Sequence, residues 1–242
     1  MPTAEQFLKM VFPNGMPSTT RNFEYSCRKC NDTGHIIISK FPLIVEDCEC
    51  EKRRRLERRI NNSGLAETMK RCTFGSFDTA EKWQETVRNK ALEYLNSAKS
   101  AWFFISGTPG SGKTHICTAI CGEFIKCGVD TRYVKWREAA PRLKALVKFP
   151  EEYAEELDKL KTCELLYIDD FLKGNVTDAD INLSYELLNY RYCERLRTVI
   201  SGERSIEEII SIDEATGSRI FELAKGFVIA MPKGKNRRLS NE

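Results

Sequence analysis

The sequence predicts an α/β protein, a three-layer domain on a parallel sheet with a smaller module in front of it. Three observations lead there. The glycine-rich octapeptide Gly107 to Thr114 lies between a short apolar run and an amphipathic stretch. Beyond it, strand-like and helix-like segments alternate, as they do when parallel strands are joined by helical crossovers. Ahead of it, four of the ten cysteines, Cys27, Cys30, Cys48 and Cys50, crowd into one short segment.

Composition supports a folded chain. Of 242 residues, 41% are hydrophobic and 30% charged, enough apolar side chain for one or two domains. No run of about 18 apolar residues occurs, so neither a membrane span nor a membrane partner is expected. The stretch from Met1 to Val11 carries Glu5 and Lys9 and lacks the apolar core of a secretory signal, which leads to a cytoplasmic expectation. The formal charge is +3, and it is unevenly placed. Residues 1–80 hold 13 Lys and Arg against 10 Asp and Glu, whereas 81–242 hold 25 of each. Six of the basic residues lie between Lys52 and Arg59, a weak pointer to nucleic acid.

The first module is read from its cysteines. In a reducing compartment, Cys27-x2-Cys30 followed by Cys48-x-Cys50 is a better metal site than a pair of disulfides. Zinc takes four thiolates in a tetrahedron, and a four-sulfur set leaves no open position, so the ion would be structural. Asn31-Asp32-Thr33-Gly34 is turn chemistry. Ile36 to Ile38 and Leu43 to Val45 then read as a hairpin with Phe41-Pro42 near its tip, which returns the second pair to the first. Glu51 to Ile60 follows as a basic helix, either a solvated face or a contact for nucleic acid or an acidic partner.

The second domain is read from a phosphate loop. Ala101 to Ser106 is a buried strand, and His115 to Cys127 is a helix with Ile116, Ile120 and Phe124 on one face. Between them, Gly107-Thr108-Pro109-Gly110-Ser111-Gly112-Lys113-Thr114 matches GxxxxGK[ST] in its required strand–loop–helix setting. Backbone N–H groups and the positive helix end would cradle phosphates there, with His115 at the edge of the site. Lys113 is the point charge for the β- and γ-phosphates of ATP, and the Thr114 hydroxyl is a ligand for Mg2+. Glu164 to Ile168 is a second buried strand ending in Asp169-Asp170. Asp169 would hold Mg2+, and Asp170 could polarise the attacking water.

The remaining elements follow in order. Thr131 to Val134 is a strand, and Arg137 to Val147 a helix. Asp178 to Arg195 is a long helix with Ile181, Tyr185, Leu188 and Tyr192 in register. Thr198 to Ser201 is a strand, Ser205 or Asp213 can cap the helices after it, and Gly226 to Met231 is the last strand. The division expected is a zinc-binding segment with its basic helix over 1–60, a linker over 61–82, and a nucleotide-binding domain over 83–242.

On these motifs, residues about 72–231 resemble the AAA+ domain of the bacterial helicase loaders DnaC and DnaI and their phage relatives. The IstB transposition helper ATPases are similar too. CRKCNDTGHI, the CEC and the basic helix resemble the zinc-bearing N-terminal segment of DnaI-type loaders. The resemblance implies an AAA+ P-loop fold, and an ATPase that uses ATP and Mg2+ and carries structural Zn2+. It implies further roles. Gly217-Ser218-Arg219-Ile220 resembles the arginine-finger segment, so Arg219 would complete a neighbour's site when the chain self-associates with ATP. A polar sensor would be Ser201 or Glu203. Arg142, Lys144 and Lys148 would face single-stranded DNA, or form a solvated face. Only 23 residues follow Arg219, too few for the C-terminal helical lid, so activity alone is expected to be weak.

The function implied is binding of the hexameric replicative DNA helicase and its placement on single-stranded DNA. One alternative is an IstB-like helper forming filaments on duplex DNA. Another is a helicase-binding inhibitor with a vestigial ATPase, against which Lys113, Thr114, Asp169 and Asp170 all stand intact.

Overall fold

The computed structural model describes residues 26–40 and 42–232. The chain forms two compact units, residues 1–53 and 54–242. The basic residues Lys233, Lys235, Arg237 and Arg238 and the hairpin-tip residue Phe41 lie outside the described residues.

In the first unit, β1 (His35–Lys40) and β2 (Leu43–Asp47) pair antiparallel. His35 faces Asp47 and Ile37 faces Val45, and the register shifts between Ile37 and Ser39. The turn ahead of β1 places Asn31 and Asp32 in the left-handed region, which Asn and Asp tolerate better than other side chains. The Asp32 carboxylate accepts the N–H groups of Ser26 and Cys27 at 3.0 and 2.9 Å, closing the knuckle. Ile37, Ile38, Ile44 and Val45 are exposed, an apolar surface on a small hairpin. Helix α1 (Glu49–Ser63) starts in this unit with Glu49 and Glu51 in its first turn and carries the arginine run.

The second unit holds α2 (Ala66–Met69), α3 (Lys82–Leu95), β3 (Trp102–Ser106), α4 (Lys113–Lys126), β4 (Thr131–Lys135), α5 (Trp136–Leu146) and α6 (Pro150–Thr162). It continues with β5 (Leu165–Asp169), α7 (Asp178–Cys193), β6 (Arg197–Gly202), α8 (Ile206–Ile212), α9 (Glu214–Leu223) and β7 (Val228–Ala230). The sheet order is β4-β5-β6-β3-β7, and every pairing is parallel. Both faces of such a sheet must be covered, and alternate residues of each strand show how. Trp102, Phe104, Leu166, Ile168 and Ile200 point into one core, with α5, α6, α7, α8 and α9. Phe103, Ile105, Leu165, Tyr167 and Val199 point into the other, with α3 and α4. The expected three layers are present.

Three helices, α2, α3 and α6, lie where the pattern gave none, and α2 is a single turn. In α6 only Leu157 is buried, so its apolar period is faint; charge defines it instead. Pro150 opens it, Glu151 and Glu152 sit at the positive end, and Lys159 and Lys161 at the negative end. Helix α3 is entered through a capping box of Glu81 and Gln84. The stretch 61–82 is packed chain: α1 runs to Ser63, and Leu65 and Phe77 are buried in the second core. Ser205 and Asp213 both cap, Ser205 for α8 and Asp213 for α9. Among the described residues no helix follows β7, and none is long and apolar enough to cross a membrane.

Candidate nucleotide site and cysteine cluster

The central strand β3 ends at Ser106, and the loop Gly107 to Gly112 carries the chain into α4. Gly107, Gly110 and Gly112 all have positive φ. At Gly107 a Cβ would lie 2.8 Å from the Cβ of Met231, so the loop needs glycine for both conformation and space. The Ser111 hydroxyl is buried in the loop with no hydrogen-bond partner. Lys113 is buried, and its ammonium donates to the carbonyls of Gly107 at 2.8 Å and Thr108 at 2.9 Å. Burial pulls its pKa down, and among the described residues no carboxylate touches it directly. A buried ammonium held only by loop carbonyls is a cation waiting for an anion.

Asp169 closes β5 on the neighbouring side. Thr114 Oγ1 donates to its two carboxylate oxygens at 3.3 and 3.2 Å, Tyr133 OH donates at 3.3 Å, and the Ser201 hydroxyl donates to Oδ1. Tyr167 OH lies 3.2 Å from Ser201 Oγ in turn. The Thr114–Asp169 pair is an all-oxygen donor set, the chemistry of a hard divalent cation such as Mg2+. Asp170, at φ 55, turns the chain away from the sheet. A cavity of about 250 Å³ is lined by Gly110, Lys113, Thr114, Asp170, Lys173 and Glu203. It is smaller than a cavity of about 540 Å³ along the edge strand β4. Three of the four cations lining that larger space are engaged: Lys135 with Glu138, and Arg142 and Lys159 with Glu156. Only the smaller one gathers a buried ammonium, loop glycines and carboxylates.

The structure thus brings together the loop residues, Lys113, Thr114, Asp169, Asp170 and Glu203. Of the two sensor candidates, Glu203 lines the cavity, while Ser201 is buried behind it on Asp169. His115 lines the cavity's edge and turns its ring outward. Nε2 lies 2.9 Å from the Thr73 carbonyl and 3.2 Å from Ser76 Oγ, and the ring stacks edge-on with Phe77. Arg219 sits on α9, its guanidinium over the rings of Tyr185 and Tyr192 and donating to the Ala215 carbonyl. Arg142 and Lys144 are tied down, to Glu156 at 2.8 Å and Asp180 at 2.7 Å, and Lys148 is exposed. Nothing in the sequence pattern marks Tyr133; its position beside Asp169 comes from the β4–β5 pairing, which sets it opposite Tyr167. Lys173, also unmarked, had one available signal, a cation three residues after Asp170.

In the first unit, the Sγ atoms of Cys27, Cys30, Cys48 and Cys50 all lie within 4.8 Å of one another. A tetrahedron of sulfurs around zinc has edges of about 3.8 Å. Cys27 and Cys48 are 3.8 Å apart and Cys30 and Cys50 3.3 Å, so the set fits the ion. The backbone N–H groups of Cys30 and Lys29 hold the Cys27 thiol down, to about 6. The hydrogen bond with Cys30 pushes Cys50 up to about 12. His35 stays outside the group and pairs with Asp47 at 3.2 Å.

Comparison with known proteins gives the geometry a family. Residues 22–215 match the IstB-like ATP-binding proteins. YqaM of Bacillus subtilis strain 168 is 31% identical over 211 residues, 81% of this chain and 66% of that protein, so the chain spans just under two thirds of that relative. The replicative helicase loader DnaC of Escherichia coli K12 is 27% identical over 171 residues, 69% of each chain. A crystal structure of the DnaC helicase loader superposes with a TM-score of 0.59 at 18% identity, covering 66% of this chain and 97% of that one. This last likeness is one of fold: the three-layer domain has the fold of that loader structure. With four fifths of its length matched and the phosphate loop intact within that span, the chain belongs to the family of IstB-like ATP-binding proteins.

Proposed function

We propose that this chain is an ATP-dependent helicase loader, which binds the hexameric replicative helicase and places it on single-stranded DNA in the cytoplasm. The observation that carries the reading is the convergence of Lys113, Thr114 and Asp169 at the carboxyl ends of β3 and β5, in a chain 27% identical to the loader DnaC. Lys113 leaves the carbonyls of Gly107 and Thr108 to meet the β- and γ-phosphates. Thr114 and Asp169 would hold Mg2+, which when bound neutralises charge on the phosphates. Asp170 orients the attacking water. Tyr133 and Ser201 hold the Asp169 carboxylate in place by hydrogen bonds. Arg219 reaches a neighbouring subunit's terminal phosphate once the chain self-associates with ATP; until then the tyrosine faces of α7 store its guanidinium. A site completed only by a neighbour gives weak ATP hydrolysis by the dilute chain.

In the same reading, residues 1–60 are the zinc-binding segment, 61–82 connect it, and 83–242 are the ATPase domain. The four cysteines hold structural Zn2+. The exposed Ile37, Ile38, Ile44 and Val45 offer the helicase an apolar surface. Among the described residues Lys148 is the one cation of the DNA set without an ion pair, while Arg142 and Lys144 must leave their carboxylates to touch phosphate.

The test is co-migration of the full chain with the replicative helicase of its own cell on a sizing column, with ATP and with ADP. A nucleotide-sensitive complex is expected. The family match favours a second reading, a transposition helper that coats duplex DNA. No helicase complex, with ATP-dependent filaments on duplex DNA that dissolve as salt rises, would put that reading first. Activity unchanged by Lys113→Ala would leave a helicase-binding inhibitor with a vestigial site.

A further inference from the structure

We propose that Lys173 is a second phosphate-binding cation of the nucleotide site, and that it distinguishes a nucleoside triphosphate from a diphosphate. The inference rests on the reading of this site as an ATP site. Its starting point is a deficit. The strand end after β6 faces the cavity, yet its side chains at 201 and 203 offer no free donor to a terminal phosphate. The Ser201 hydroxyl is buried and engaged with Asp169 and Tyr167. Glu203 does line the cavity, but a carboxylate there repels a phosphate.

Lys173 answers both problems. Its Nζ lies 2.7 Å from Glu203 Oε1 and 3.3 Å from Asp170 Oδ1, and the side chain lines the same cavity as Lys113 and Thr114. An ammonium has three donors; one is given to Asp170, and Glu203 pairs with the charge without a well-aligned hydrogen bond, which leaves donors for a ligand. The carboxylates neutralise the cation while the site is empty and hold it at the mouth.

The placement is built. Phe171 N–H donates to the Ser201 carbonyl, and Arg204 donates to the carbonyls of Leu172 at 2.8 Å and Gly174 at 2.7 Å, on either side of Lys173. Leu172, at φ 48, is in the left-handed region, a conformation a bulky residue keeps only where its surroundings fix it. The loop springs from Asp169 and Asp170, on the side where the terminal phosphate must lie if Thr114 and Asp169 hold its cation. Lys113 and the loop N–H groups serve the inner phosphates, and Lys173 is left for the outer one.

The test is equilibrium binding of a fluorescent non-hydrolysable ATP analogue and of fluorescent ADP to the full chain. Lys173→Ala is expected to weaken the triphosphate about tenfold and the diphosphate less than about twofold, the worth of one charge-assisted hydrogen bond on the outer phosphate. Lys173→Arg should keep the preference, and Glu203→Gln, which releases the ammonium from one acid, should strengthen it. Equal losses for both nucleotides, or none, in Lys173→Ala would overturn the proposal and make Lys173 only a counter-ion for Asp170 and Glu203. If Lys173→Ala does not fold, an unchanged preference in Glu203→Gln overturns it instead. Lys113→Ala is the separate control: it should weaken both nucleotides, and binding of both at wild-type strength would remove the ATP-site reading itself.

Discussion

Arg191 is fully buried in the core of the second unit, and replacing it should unfold that unit at a much lower temperature. Nε donates to Thr198 Oγ1 at 3.0 Å, and Nη1 to the carbonyls of Leu160, Lys161 and Cys163 at 2.9, 3.0 and 2.9 Å. Nη2 donates to the carbonyl of Arg197 at 2.5 Å. Its oxygen partners are uncharged, Nη1 also reaches the Cys163 sulfur at 3.5 Å, and burial lowers its pKa. Leu160 and Lys161 belong to the last turn of α6, whose carbonyls lack intrahelical partners and carry the negative end of the helix dipole. One guanidinium thus closes α6, anchors the approach to β5 and fixes the start of β6.

Hydrogen bonds to a charged group are worth about 1.5–3 kcal/mol each, but desolvating the guanidinium offsets much of that sum. What decides the cost is the set of buried carbonyls left behind. Arg191→Met fills the volume and strands them, at about 3–5 kcal/mol. For a unit of this size that is a fall of roughly 6–20 °C in Tm. Arg191→Lys keeps the charge but reaches fewer acceptors, and should lose roughly half as much. Thermal and urea unfolding followed by circular dichroism would measure both. A cost under about 1 kcal/mol for Arg191→Met would refute the reasoning, since it would mean that water or a rearranged α6 supplies the carbonyls as well as the guanidinium does.

Other outcomes are expected. Metal analysis of the gently purified chain should find one zinc per molecule, lost in Cys48→Ser; a metal-free wild type with reduced thiols would remove the zinc assignment. Lys113→Ala should leave the nucleotide-free Tm nearly unchanged, because it removes a buried charge along with two hydrogen bonds, and should abolish the upward shift that saturating ATP gives the wild type, about 2.7 kcal/mol at a hundredfold excess over Kd. Arg219→Ala should bind ATP normally yet lose about a thousandfold of the hydrolysis measured under assembling conditions; equal hydrolysis by variant and wild type would place the arginine outside the neighbour's site. Ser201→Ala should lower hydrolysis with ATP affinity little changed, and a variant that hydrolyses normally would show that Tyr133 and Thr114 suffice to hold Asp169.

Legibility in the sequence followed the strength of local constraint. The phosphate loop was readable because phosphate binding demands glycine at fixed spacings, and each such glycine here has positive φ. The buried strands were readable as apolar runs. Helix α6 was not, because a helix that buries little more than Leu157 leaves no apolar period, though its end charges carry the information. Helices α8 and α9 were readable through Ser205 and Asp213, whose side chains accept the N–H groups they were expected to accept. The neighbours of Asp169 were beyond reach. Tyr133 and Ser201 lie on the strands either side of Asp169, and only the order β4-β5-β6 brings them to its carboxylate, with Tyr167 behind Ser201. Arg191 was hidden for the same reason, since it sits on a helix face whose partners come from α6 and β6.

The short strand β7 carries a consequence for genetics. It holds to the sheet through β3, and just beyond it Met231 N–H donates to the Ser106 carbonyl at 2.8 Å. The same methionine fills the space where any side chain at position 107 would go. The first residue of the phosphate loop is therefore also a seat for the sheet's last strand. A screen that scores Gly107 variants by lost function will read a dislodged edge strand as a lost phosphate contact, whereas variants at Lys113 or Thr114 report on the nucleotide without moving the frame.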